Sequence, residues 1–193
     1  MTTTPPLLTE LEAVNVMLSV IGEAPINTLT GAATVDVIQA KAILSQISRE
    51  VQTAGWHFNS EKEYPLVPDI NQEITLATNM VRVDADQYPE LDVVQRGLRL
   101  YNRKDHTFKF EKTVKAEVVF LLSFEEIPQV ARQFIVIRAA RIFQDRMVGS
   151  DVLHSFTAVD EQKALADLKD AEGDTGDYTI FDHYDAYRPL DRW

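Results

Sequence analysis

The chain has 193 residues, 45% hydrophobic and 25% charged, with only 7 Gly and 8 Pro, a balance that argues against disorder or a low-complexity fibre. That length suits one domain, or a domain with a small appendage, able to remove roughly 70% of its unfolded surface from water. The lack of cysteine excludes disulfides and thiolate metal sites, as suits a reducing compartment or a protein made in cytoplasm and later carried outside. Met1 to Leu8 has no basic region and no long apolar run, so neither a signal peptide nor a membrane anchor is expected there. The net charge of -11 is uneven, because residues 151–193 hold 11 acidic against 4 basic side chains. No basic footprint for tight nucleic-acid binding is expected, and any DNA contact should slide rather than hold.

In chain order, Leu11, Val14, Leu18 and Ile21 recur at helical spacing, with Met17 widening the stripe and Gly22 ending it. Val37, Ala40, Leu44, Ile47 and Val51 repeat the pattern, Thr34 is placed to cap, and Gly55 is the C-terminal glycine. The two make a helical hairpin. From about Tyr64 to Phe124 apolar residues alternate instead: Ile74 and Leu76, Val81 and Val83, Leu98 and Leu100, Phe108 and Phe110, then Val114, Ala116 and Val118. With Pro65, Pro68, the stretch from Asp84 to Pro89 and Asn102-Arg103-Lys104-Asp105 as turns, this reads as an antiparallel sheet of four or five strands. The run from Val118 to Leu122 is apolar on both faces and belongs in a central strand.

Glu125, Glu126 and Pro128 mark a new helix start, and the span from Val130 to Met147 is apolar on most of its circumference, the pattern of a central helix. Arg132, Arg138, Arg141 and Arg146 interrupt it; Arg138 and Arg141 share a face and are expected to pair internally with acids such as Glu23 or Asp36. Gly149 ends this helix, Ser150 or Asp151 caps the next, and Leu153, Phe156, Ala164, Leu168 and Ala171 line its apolar side before Gly173. Residues 174–193 then set Tyr178, Phe181, Tyr184, Tyr187 and Trp193 among acids without a period, so the segment either folds back on this chain or docks on another; an arm seeking another surface is the expected reading, with Arg188 or Arg192 as further anchors.

No motif carries catalysis. The four histidines, His57, His106, His154 and His183, lack metal-ligand spacing, and Asp174, Asp177, Asp182 and Asp185 lack the pattern of a calcium loop. No nucleophile elbow, phosphate loop or dinucleotide fingerprint occurs. With 30 acidic residues a polysaccharide-degrading glycosidase is the enzyme alternative, since it needs only two carboxylates; the adjacent pair Glu125 and Glu126 is better explained by helix capping. Trp56 and Phe58 could stack a ligand, but a helix end needs such a cover, and Asn59 suits the turn beside them. No metal, cofactor or catalytic residue is therefore assigned.

The order Ala13-Val14-Asn15, Ile21-Gly22-Glu23-x-Pro25, then Gly55-Trp56-x-Phe58-Asn59 resembles the tail tubular protein A family of short-tailed bacteriophages. Asn79 to Asp84, Leu100 to Arg103 with Thr107-Phe108, Phe134 to Gln144, and Ala171 to Tyr178 followed by Ile180-Phe181-Asp182 resemble later parts in the same order. The resemblance implies an α+β fold: an antiparallel bundle of about four helices with an inserted antiparallel sheet of four to five strands and an extended C-terminal arm. Its expected parts are a helical hairpin over 1–63, the sheet over 64–124, helices completing the bundle over 125–173 and the arm over 174–193. It also implies a structural virion protein, made in the host cytoplasm, in which about a dozen copies form a ring. That ring would act as tail adaptor, or gatekeeper, between portal and hexameric nozzle, pass double-stranded DNA at ejection, and count tail fibres among its neighbours. Tyr178, Phe181, Tyr184, Tyr187, Arg188 and Trp193 are the expected subunit or portal contacts; Gly22, Glu23, Pro25, Gly55, Trp56, Phe58, Asn59, Arg138 and Arg141 are expected to build the hairpin and core.

Overall fold

A computed structural model describes residues 6–31, 34–85 and 91–176, with the backbone alone for 151–153 and 156. Two helices open the chain, α1 (Glu10–Ser19) and α2 (Val35–Thr53). Five strands follow: β1 (Ser60–Leu66), β2 (Met80–Asp84), β3 (Val93–Arg96), β4 (Arg99–Asn102) and β5 (Val114–Phe120). Helices α3 (Gln129–Met147) and α4 (Asp151–Gly176) complete it. The architecture is α+β, with helices before and after an all-antiparallel β region.

Each helix starts and stops for a local reason. Thr9 and Glu12 form a capping box at α1: the Glu12 amide donates to the Thr9 hydroxyl at 3.2 Å and the Thr9 amide to the Glu12 carboxylate at 2.8 Å. Gly22, at φ +83, closes that helix with its own amide on the Ser19 carbonyl and the Glu23 amide on that of Leu18, the paired bonds of a Schellman motif. Thr34 caps α2. Gly173 does not end α4, which runs on to Gly176; one glycine within a helix costs only about 1 kcal/mol relative to alanine.

The strands form two sheets rather than one, a three-stranded sheet in the order β1-β5-β2 and the hairpin β3-β4. Strand β5 is central, as its loss of alternation predicts: Val118 faces the sheet core while the neighbouring Val119 is equally buried on the other side. Other expectations need correction. Pro65 does not turn the chain but lies in β1 opposite Lys115, tolerated because β1 is an edge strand whose outer side needs no donor. β1 itself, starting at Ser60 across the 63/64 division, is too polar to show a period. Ile74–Leu76 and Phe108–Phe110 make isolated bridges, Thr75 with Arg99 and Glu73 with Lys109, instead of ladders. Leu98 sits in the two-residue loop between β3 and β4 behind Gly97 at φ +64, the conformation a tight hairpin loop demands of its first residue.

Two hydrophobic cores result. The helical core gathers Ala13, Val14, Met17 and Leu18 of α1, Ile43, Leu44 and Ile47 of α2, Ile135, Ala139 and Phe143 of α3, and Ala164 and Leu168 of α4. The sheet core gathers Leu66, Ile74, Leu76, Met80, Leu100, Phe110 and Val118. Between them lies a polar joint. Gln52, 1% exposed, accepts the Leu122 amide at 2.7 Å and donates to the Leu122 carbonyl at 3.2 Å, replacing the strand partner that β5 lacks as it leaves the sheet. Asn59, 3% exposed, donates to the carbonyls of Gln52 at 2.9 Å and Phe120 at 2.7 Å.

Gly55 sits at this joint with φ +79, and a Cβ there would lie 2.5 Å from Arg82 Nη2 and 3.1 Å from Val119 Cγ2. Gly22 has the same kind of φ but open space around it. Gly55→Ala should therefore cost about 2–3 kcal/mol and Gly22→Ala only about 1 kcal/mol in urea unfolding; equal costs would show that backbone strain alone matters. Hydrogen bonds hold two carboxyls below the usual glutamate value, Glu12 chiefly through the Thr9 amide and Glu126 chiefly through the Ser123 hydroxyl. Their capping contribution is complete above the unfolded value of about 4.3 and is lost as pH falls through the lower folded values. Unfolding followed by circular dichroism between about pH 5 and 3 should be less pH-dependent in the Glu12→Gln/Glu126→Gln variant than in the parent chain.

Candidate assembly interface

The hairpin residues singled out by sequence form a braced loop. Asn15 donates to the Ile26 carbonyl at 3.0 Å and accepts the Ile26 amide at 2.8 Å, holding the segment after Gly22 against α1. Glu23 and Pro25 are exposed on that loop. At the far end of α2, the Trp56 indole donates to the Val51 carbonyl at 2.8 Å, and the Trp56 amide donates to Asn59 Oδ1 at 2.8 Å. Trp56 and Phe58 pack against the helical core, so both are end covers.

The arginines of α3 divide into two roles. Arg132, 4% exposed, sends Nε to the Ile127 carbonyl at 2.6 Å, Nη1 to the Leu8 carbonyl at 2.7 Å and Nη2 to the Glu125 carbonyl. A planar fork with several donors can satisfy three carbonyls that a lysine could not. Arg138 and Arg141 bind acids, but from α2, α3 and α4 rather than Glu23 or Asp36. Arg138 contacts Glu50 and lies 3.3 Å from Glu161; Arg141 contacts Glu161 and lies 3.0 Å from Asp145. Glu161 thus serves both guanidinium groups and ties α4 to α3. Its hydrogen bond to Arg141 holds that guanidinium more firmly protonated than usual, against the opposing effect of partial burial.

These pairs join α2, α3 and α4 within the chain. Val35 and Ile38, 67% and 57% exposed, stand on the open side of α2. Ile70 is 99% exposed at the tip of a turn between β1 and β2, which Asp69 stiffens by accepting the Asn71 and Glu73 amides at 2.8 and 2.9 Å. A shallow groove of about 370 Å³ runs between α1, α3 and α4, lined by Val16, Val20, Ile137 and Ala164. The candidate contacts Tyr178, Phe181, Tyr184, Tyr187, Arg188 and Trp193 lie outside the described residues. Of Glu125 and Glu126, the carboxylates considered for glycosidase chemistry, Glu126 is engaged locally, its carboxylate accepting from the Ser123 amide and hydroxyl at 2.9 and 2.7 Å, while Glu125 is exposed and gives only its main-chain carbonyl to Arg132.

Glu161→Gln should cost about 1–3 kcal/mol in urea unfolding, because it leaves two part-buried guanidinium groups short of charge. Glu50→Gln, at the exposed end of the same network, should cost at most about 1 kcal/mol. Equal values would place the binding energy outside α4.

Among the described residues no helix is long and apolar enough to cross a membrane. No curated protein matches the chain. A family model described as Tail tubular protein matches residues 11–178, a span that takes in both cores and every element from α1 to α4. The chain belongs to the Tail tubular protein family and is a structural component of a bacteriophage tail.

Proposed function

We propose that the protein forms the tail adaptor ring, joining the portal to the tail nozzle and passing double-stranded DNA through its centre. The observation that carries this reading is the extent of the family match, which includes the helical layer and the sheet region together, so the molecule is built as that family's unit and not as a borrowed fragment. The division into helical parts over 1–63 and 125–173, a sheet part over 64–124 and an arm over 174–193 belongs to the same proposal.

A ring subunit must present different, complementary faces to its two neighbours and further faces above and below. Apolar side chains exposed at well-separated places support this: Val35 and Ile38 on α2, Val67 and Ile70 beyond β1, and Val159 on α4. We assign Tyr178, Phe181, Tyr184, Tyr187, Arg188 and Trp193 to a subunit or portal contact, because clustered aromatics and arginine are the residue types that dominate binding energy at interfaces. The acidic total suits a conduit that must not hold DNA phosphates.

Native mass spectrometry of the chain mixed with the portal ring of the same phage tests the reading. A single complex with a defined number of added copies is the expected result. Absence of added copies, with both proteins folded by circular dichroism, would overturn it.

A further inference from the structure

The acid excess of the chain conceals a basic stretch. Between residues 96 and 115, seven arginines and lysines stand against Asp105 and Glu111 alone, and all seven are exposed. Most have company on their own chain: Arg99 pairs with Glu73 at 3.0 Å, Arg103 with Asp92 at 3.6 Å and Lys115 with Glu63 at 3.1 Å, while Arg96 lies 3.6 Å over the Tyr101 ring. Lys109 and Lys112 have no ion-pair partner among the described residues.

Those two lysines and Lys115 rim a cleft of about 790 Å³ that Leu91, Phe110 and Val114 also line. Of the two acids on it, Asp105 is turned onto the Asn102 amide at 2.9 Å, which leaves Glu111 as the other. Ammonium groups over apolar side chains call for a ligand that offers carboxylates and aromatic rings together. Duplex DNA offers phosphates but keeps its bases stacked inside, so it would leave Leu91, Phe110 and Val114 without an apolar partner.

We propose that this cleft receives the C-terminal segment, residues 177–193, of a neighbouring copy; the inference rests on the ring reading above. That segment interleaves Asp177, Asp182, Asp185 and Asp191 with Tyr178, Phe181, Tyr184, Tyr187 and Trp193, the chemistry the cleft calls for. The root of the segment and the cleft lie at opposite ends of β5. Near its C-terminal end α4 meets the turn before β1, where the His57 amide donates to the Glu172 carboxylate, and this is the end of the sheet at which β5 finishes. The cleft lies at the opposite end of β5, around Val114, roughly 20 Å along the strand. A segment rooted at one end of a protomer and a receptor at the other are what a head-to-tail contact requires. Fully extended, the segment reaches roughly 55 Å, enough for its own cleft or that of the next copy; the ring reading, which needs a repeated contact between copies, selects the next copy.

Two measurements on full-length chains assembled with the portal ring test this. Lys109→Glu/Lys112→Glu should raise the concentration for half-maximal assembly at least about tenfold, and adding Asp182→Lys/Asp185→Lys to the same chain should restore it. Because the chain has no cysteine, Lys112→Cys copies can be mixed with Asp182→Cys copies and oxidised; a disulfide between the two kinds of copy is expected. Several outcomes would overturn the inference while leaving the ring intact: unchanged assembly of the charge-reversed cleft, no rescue, or a disulfide only within a chain carrying both cysteines. Lost binding of duplex DNA by the charge-reversed cleft, with assembly unaffected, would reassign it to DNA. No assembly of the unaltered chain would overturn the ring reading and this inference with it.

Discussion

The molecule depends on how the main chain is satisfied where β5 leaves the sheet and crosses to the helices. There Leu122 has no strand beside it, yet its amide and carbonyl lie in a part-buried setting where unpaired polar groups cost about 1–3 kcal/mol each. The Gln52 side chain supplies both missing partners, and Asn59 takes the Phe120 carbonyl just before it. Because Gln52 belongs to α2 and Asn59 to the turn after it, these bonds set the position of the sheet on the bundle. Gly55 lets the two layers approach, and Arg82 of β2 donates to the Ala54 carbonyl across the same joint at 3.2 Å.

The same solution recurs at two other places where a loop meets a helix. Asn15 pairs both main-chain groups of Ile26, and Arg132 gathers three carbonyls from the segments that precede α1 and α3. Hydrophobic burial holds the two cores, but it is non-directional and cannot choose a loop path. Buried amides and a guanidinium do so, because each has few acceptable geometries. The outward surfaces are freed by this economy. With Arg132, Arg138 and Arg141 of α3 engaged within the chain, residues 96–115 still carry a local run of seven exposed cations.

Much of the fold was legible where one face of an element is apolar and the other is not. The stripes of α1 and α2, the glycines that end them, and the doubly apolar β5 all follow from the period of burial. β3 escaped because Val93, Val94 and Gln95 are only half-buried, leaving no contrast between faces; the sole signal was Gly97 between Arg96 and Arg99. Gln52, Asn15 and Arg132 escaped as polar anchors because their partners are main-chain atoms 70, 11 and up to 124 residues away. Of the candidate interface, the aromatic, acid-flanked character of residues 177–193 stood out in composition, but the lysine-rimmed cleft did not, since a net charge averages it away.

By itself, then, the amino-acid order determined the four helices, the strand character of β2 and β5, the central place of β5 and the family's run of motifs, because these rest on local periodicity and on conformations that only glycine or proline adopts readily. The tertiary structure alone decided that the strands divide into two sheets, that Glu161, Glu50 and Asp145 are the partners of the α3 arginines, and that Lys109 and Lys112 share a cleft with Phe110. Those outcomes depend on which distant segments meet, and no residue's own chemistry names its neighbour in space.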